Sequence, residues 1–322
     1  MRSGPLFMLS GLALLAALGC TISPKASSDS RSMDKDAAVA ADMAPFPVEK
    51  ADSAAPDTRV VDVLPGASDV ASTVAPDVAP DVAPDGAPPD VGVWYLAWSD
   101  EFGGPAIDTT VWNITDELVM KNGELEYYRP GNAFIENGAL VLEARQESYG
   151  GRDFTSGCLT SKDKKTFKYG RLTARIKLPA TAGMWPAFWM LGATGAWPDG
   201  GELDIMESKG RVPTTVWGTA HWGPLTNGNH PNYGTTYQLP SGQDITGWHD
   251  YTLEWSAGTL RWSVDGGPPY LSMVSHDPFN QPFYLILNLA VGGMFDDNVE
   301  PPRPMSPQRM LVDYVRVYQC CK

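Results

Sequence analysis

From residue 93 onward the chain reads as short runs in which apolar and polar positions alternate. They include ALVLEAR (139–145), RLTARIKL (171–178), TLEW (252–255), LRWSVDG (260–266) and LVDYVRVY (311–318). Successive side chains of a strand point to opposite faces, so a period of two predicts strands with one face buried. Gly, Pro, Asn and Asp punctuate the runs. TLEWSAGTLRWSVDG predicts a hairpin turning at Ser256 to Gly258. Few segments keep a helical period over three turns. Many short strands at this spacing predict an all-β sandwich or barrel of about 230 residues.

Before Val93 the pattern is absent. Residues 21–92 are rich in Ala, Pro, Asp and Ser, and APDVAPDVAPDGAPPDV (75–91) is a short repeat. Such a composition buries too little apolar surface to offset its chain entropy, which predicts a disordered, extended linker. Residues 1–20, MRSGPLFMLSGLALLAALGC, place Arg2 ahead of an apolar stretch from Leu6 to Leu18. That stretch is too short to span a bilayer and predicts an export signal. Cys20 follows Ala17, Leu18 and Gly19, which resembles the lipobox of bacterial lipoproteins, although Ala17 stands where that motif usually has Leu. The resemblance implies lipidation of Cys20 and a cell-surface or outer-membrane lipoprotein; plain secretion is the rival.

The formal net charge of -14 argues against a nucleic-acid partner, because neutralising phosphates needs a basic face. It also argues against charge-driven binding to an anionic membrane, leaving a lipid anchor as the only expected membrane link. The four cysteines, Cys20, Cys158, Cys320 and Cys321, show no zinc spacing. A bridge from Cys158 to the C-terminal pair is one option in an oxidising compartment.

GGELDIMES (200–208) places Glu202, Asp204 and Glu207 inside six residues of an apolar run. On a strand Glu202 and Asp204 share a face, while regular alternation sends Glu207 to the other. A β-bulge at Ile205–Met206 would add one residue and return Glu207 to the first face. Three such acids repel one another, so at least one proton stays in the cluster at neutral pH. A protonated carboxyl beside an ionised one can cleave a glycosidic bond, and the separation suits the roughly 5–5.5 Å of retaining enzymes. A calcium site and a solvated polar strand remain alternatives on spacing alone.

The motif, in the form Glu-x-Asp-x-x-Glu, resembles the active-site strand of glycoside hydrolase family 16, and of its laminarinases (endo-1,3-β-glucanases) in particular. WSDEFGG (98–104), NGELEYY (122–128), FKYGRLTARIKLP (167–179), MWPAFWMLG (184–192), GTAHWG (218–223), LILNLAVGG (285–293) and LVDYVRVYQ (311–319) extend the likeness over nearly all of residues 93–319. The resemblance implies a β-jelly-roll sandwich of two curved antiparallel sheets with an open cleft. It implies Glu202 as nucleophile, Glu207 as general acid/base and Asp204 as the residue that tunes them. It implies substrate contacts from Trp185, Trp189, His221 and Asn122, with Arg171 as a further hydroxyl donor. A structural calcium is expected on Glu101, a carbonyl near Gly138, and Asp313; catalysis itself needs no cofactor. The expected partner is a β-glucan, and the expected state is a monomer. Rival readings are the same fold acting on mixed-linkage glucan or a marine galactan, a β-glucan-binding protein without activity, and a purely structural surface lipoprotein.

Overall fold

The computed structural model describes residues 93–118 and 121–320. The export signal, Cys20, the linker of residues 21–92 and Cys321 lie outside the described residues. Among the described residues eighteen strands follow in chain order. The first six are β1 (Tyr95–Asp100), β2 (Asn113–Ile114), β3 (Glu117–Leu118), β4 (Glu126–Tyr128), β5 (Ala133–Glu136) and β6 (Ala139–Ala144). Then come β7 (Phe154–Ser156), β8 (Cys158–Thr160), β9 (Gly170–Lys177), β10 (Met184–Gly192), β11 (Glu202–Ser208) and β12 (Thr215–His221). The last are β13 (Asn232–Gln238), β14 (His249–Trp255), β15 (Thr259–Val264), β16 (Leu271–Val274), β17 (Phe283–Val291) and β18 (Gln308–Gln319).

They form the two large antiparallel sheets of a jelly-roll sandwich. One runs β16-β15-β14-β9-β18-β6-β5, with β1 also paired to β18; the other runs β13-β12-β11-β10-β17-β8-β2. A small third sheet joins β3, β4 and β7. The hairpin of β14 and β15 turns where the sequence predicts, with the Ser256 N–H on the Thr259 carbonyl.

Alternation decides what each sheet buries. On β10, Met184, Phe188 and Met190 enter the core, while Trp185 and Trp189 are half-buried on the opposite face. Leu172, Ala174 and Ile176 on β9 and Leu253 and Trp255 on β14 meet them from the other sheet. Burying side chains of this size contributes about 1.5–3 kcal/mol each, which fixes the strand registers. The outward face of the second sheet is therefore held rigidly, and the three acids lie on it.

Candidate active site

Strand β11 breaks its pairing between Asp204 and Glu207. Asp204 lies opposite Thr219 and Glu207 opposite Trp217, so Ile205 and Met206 together face the single residue Gly218 of β12. Ile205 and Met206 are both in the core, and Glu207 returns to the face of Glu202 and Asp204. Gly218 permits this. A Cβ there would come within 2.8 Å of the Trp262 ring and 2.5 Å of the Tyr270 hydroxyl.

Each acid has a defined partner. The Trp185 indole N–H donates to Glu207 Oε1 at 2.9 Å, and the Trp197 indole N–H to Glu202 Oε2 at 2.5 Å. His221 places Nε2 3.1 Å from Asp204 Oδ2, and its Nδ1 lies 2.9 Å from His230 Nε2. Burial pushes the Glu207 carboxyl up to about 7; the Trp185 bond opposes this and the charge of Glu202 adds to it. Burial, then the charge of Asp204, pushes Glu202 up to about 8, against the pull of His221 and the Trp197 bond. Asp204, the deepest of the three, is driven well above the usual carboxylate range by burial and by the Glu207 charge. The cluster therefore keeps protons near neutral pH, with Glu202 and Asp204 within hydrogen-bond reach of each other.

The family model of the glycosyl hydrolases family 16 matches residues 122–314. The chain belongs to this family. It is 37% identical over 246 residues to a β-glucanase of Rhodothermus marinus, with 70% of this chain and 85% of the relative aligned. It is 36% identical over 264 residues to glucan endo-1,3-β-glucosidase A1 of Niallia circulans; the match takes in 72% of this chain and only 39% of that longer protein. The solved laminarinase catalytic domain of Thermotoga maritima superposes with a TM-score of 0.66 at 40% identity, over 71% of this chain and 99% of that one.

Around the family-16 acids the structure gathers most of the residues singled out in the sequence. Trp189 stands opposite Asp204 in the register and donates its indole N–H to Asn288 Oδ1 at 2.8 Å. Asn122 is exposed beside the cleft, its carbonyl against Gly293, which in turn abuts Trp185. Cys158 is buried in the cleft floor with Tyr128, Tyr284 and Ile286. It is not bridged to Cys320, which is exposed just after β18 on the other sheet.

Arg171 is a correction. It lies on β9 of the opposite sheet, its guanidinium on Glu254 Oε1 at 2.9 and 2.7 Å and over the Trp94 ring, so it does not reach the acids. Of the residues expected to hold calcium, Asp313 is on β18 of that sheet, Glu101 directly follows β1, and Gly138 lies in the turn between β5 and β6. Arg316 occupies both oxygens of Glu101 at 2.9 and 2.7 Å, and Arg175 bonds Asp313 at 2.7 Å. Each carboxylate already answers a guanidinium, so the arrangement is a poor fit to a dication. Glu202, Asp204 and His221 do bring a ligand atom each within 4.8 Å of one another, a spacing a cation could bridge. Their indole and imidazole partners instead match an acid–base cluster.

Four residues escaped the sequence reading. Trp197 and His230 come from the loops before β11 and before β13. Phe295 stacks on Trp185 at 5.1 Å, and Asn288 sits on β17. For Trp197, His230 and Phe295 the sequence signal is an aromatic or imidazole residue inside a Gly/Pro-rich loop, and for Asn288 it is one polar residue inside the apolar strand β17; each is weak without a partner in view.

Proposed function

We propose that this chain is a retaining endo-glycosidase that hydrolyses 1,3-β-glucan of the laminarin type by double displacement. The observation that carries it is the bulge that turns Glu202, Asp204 and Glu207 to one open face, with an indole donor on each glutamate. In the first step Glu202 attacks the anomeric carbon while Glu207 gives its proton to the departing glycosidic oxygen. A proton held by the pair Glu202 and Asp204 resides on Asp204 as the attack proceeds, leaving Glu202 the anion. Glu207, now ionised, takes a proton from water, and that water displaces Glu202 from the sugar with net retention. No cofactor enters either step.

Sugar rings have apolar C–H faces that suit indoles, and Trp197, 42% exposed, keeps a face open beside Glu202. The relatives' names support 1,3-β-glucan over a galactan. We place the catalytic domain at residues 93–322, acting as a monomer outside the cell, with residues 1–20 as export signal and lipid attachment at Cys20. Among the described residues no helix is long and apolar enough to cross a membrane.

The test is reducing-sugar release from laminarin, lichenan and agarose, with Glu202→Gln alongside. Laminarin cleavage that collapses in the variant is expected. Preference for another polymer overturns the substrate, and folded protein that binds glucan without cutting it overturns the activity.

A further inference from the structure

Two of the groups that hold the acids, Trp197 on Glu202 and His221 on Asp204, meet at one further imidazole, that of His230. His230 belongs to the loop between β12 and β13. That loop is braced by the Trp222 N–H on the Pro231 carbonyl and by a mutual pair of bonds between Thr226 and Asn229. From there the His230 ring makes two contacts. Its Nε2 lies 2.9 Å from Nδ1 of His221, whose Nε2 faces Asp204. Its ring also meets the Trp197 ring edge-on at 4.6 Å between centroids, and Trp197 holds Glu202. A closed circuit results: Glu202, Trp197, His230, His221, Asp204 and back to Glu202.

We propose that His230 is a positioning residue of this active site, fixing His221 against Asp204 and Trp197 against Glu202 at the same time. The proposal rests on the glycosidase reading above. Without His230, nothing described holds Nδ1 of His221, and the contact of its Nε2 with Asp204 is left to fix the ring alone. The loop that carries Trp197 loses its neighbour as well. Burial and the nearby His221 hold the His230 imidazole below its ordinary value, which suits a neutral ring that bonds without adding charge. The groups facing this circuit are Glu202, Asp204 and Glu207 from β11, His221 from β12, and Asn232 opposite His221 on β13. Both His221 and the Trp197 bond hold the Glu202 carboxyl down. Loosening them raises it, so the acid limb of activity moves to higher pH.

Three variants separate the roles. His230→Ala removes both contacts, His230→Gln keeps a bond to His221, and His230→Phe keeps the ring against Trp197. For His230→Ala we expect kcat on laminarin to fall on the order of tenfold with KM within about twofold, and the acid limb to rise. His230→Gln should recover most of the pH profile, and His230→Phe should not. The imidazole 15N resonances give a reading free of substrate, because the chain has four histidines. The His221 Nδ1 signal should move in His230→Ala and return in His230→Gln. A His230→Ala profile that superposes on the wild type, or equal losses in Ala and Gln with unmoved resonances and pH limbs, overturns the proposal. If the wild type cuts no glucan, the glycosidase reading fails, and the 15N shifts still decide whether His230 fixes His221.

Discussion

Trp262, on β15 of one sheet, donates its indole N–H across the core to the main-chain oxygen of Asp204 on the other, at 2.8 Å. That oxygen belongs to the last regularly paired residue before the bulge, so the bond caps the carbonyl where the ladder breaks. The core thus reaches through β11 to the catalytic face. Trp262→Phe keeps most of the packing and leaves the Asp204 carbonyl without its donor. Urea denaturation should show a loss of about 1–3 kcal/mol. kcat should fall in the variant that remains folded.

Gly218 fills the other side of the same bulge. Gly218→Ala puts a methyl against the Trp262 ring and the Tyr270 hydroxyl. We expect a destabilisation of about 1–3 kcal/mol by urea denaturation. A variant as stable and as active as the wild type would show that the bulge does not depend on this contact.

The motif around these residues was legible because a period of two leaves one acid out of place. Glu207 falls on the wrong face unless a residue is inserted, and that single misfit predicts the bulge. Trp185 and Trp189 were legible for the same reason. Arg171 was not, because alternation assigns a face of a strand but not the sheet the strand joins; β9 pairs with β14 and β18, away from the acids. Trp197 and His230 meet only once two loops fold over β11, and no spacing encodes that encounter. Phe295 reaches Trp185 through the turn at Gly292 and Gly293, whose φ of 70° and 95° follow from the glycines.

Glu207 must hold a proton to act as the acid, and its carboxyl is pushed up to about 7. The protonated acid is lost as pH rises through that value, while Glu202, pushed up to about 8, loses its charge as pH falls. kcat/KM on laminarin should therefore be bell-shaped, falling on both sides of a narrow range near pH 7 to 8. Trp185→Phe removes a bond that holds this carboxyl down, so the alkaline limb should move to higher pH while kcat falls. A limb that stays in place would detach Trp185 from the acid.

Glu126 carries a second pH signal, this one in stability. It is fully buried, accepts from the Val291 N–H through one oxygen, and lies within hydrogen-bond reach of the Glu124 carboxyl. Burial and then the Glu124 charge raise it well above the usual range. Its stabilising proton is present below the ordinary carboxylate value of about 4.3 and is lost as pH rises through the folded one. Glu126→Gln keeps an acceptor for Val291 and does not titrate. Relative to the wild type it should gain stability in urea as pH rises from 5 to 8. No pH-dependent difference would mean that Glu126 is not protonated in the fold.

The central claim assigns the nucleophile to Glu202 and the acid/base to Glu207. The most direct measurement is the anomeric configuration of glycosyl azides that Glu202→Ala and Glu207→Ala form from a β-glucosyl substrate with a good leaving group. Azide replacing an absent nucleophile attacks once and gives the α-azide, which is the product predicted for Glu202→Ala. Azide intercepting a covalent glycosyl-enzyme gives the β-azide, predicted for Glu207→Ala. The reverse pairing of products would exchange the two roles and contradict the account.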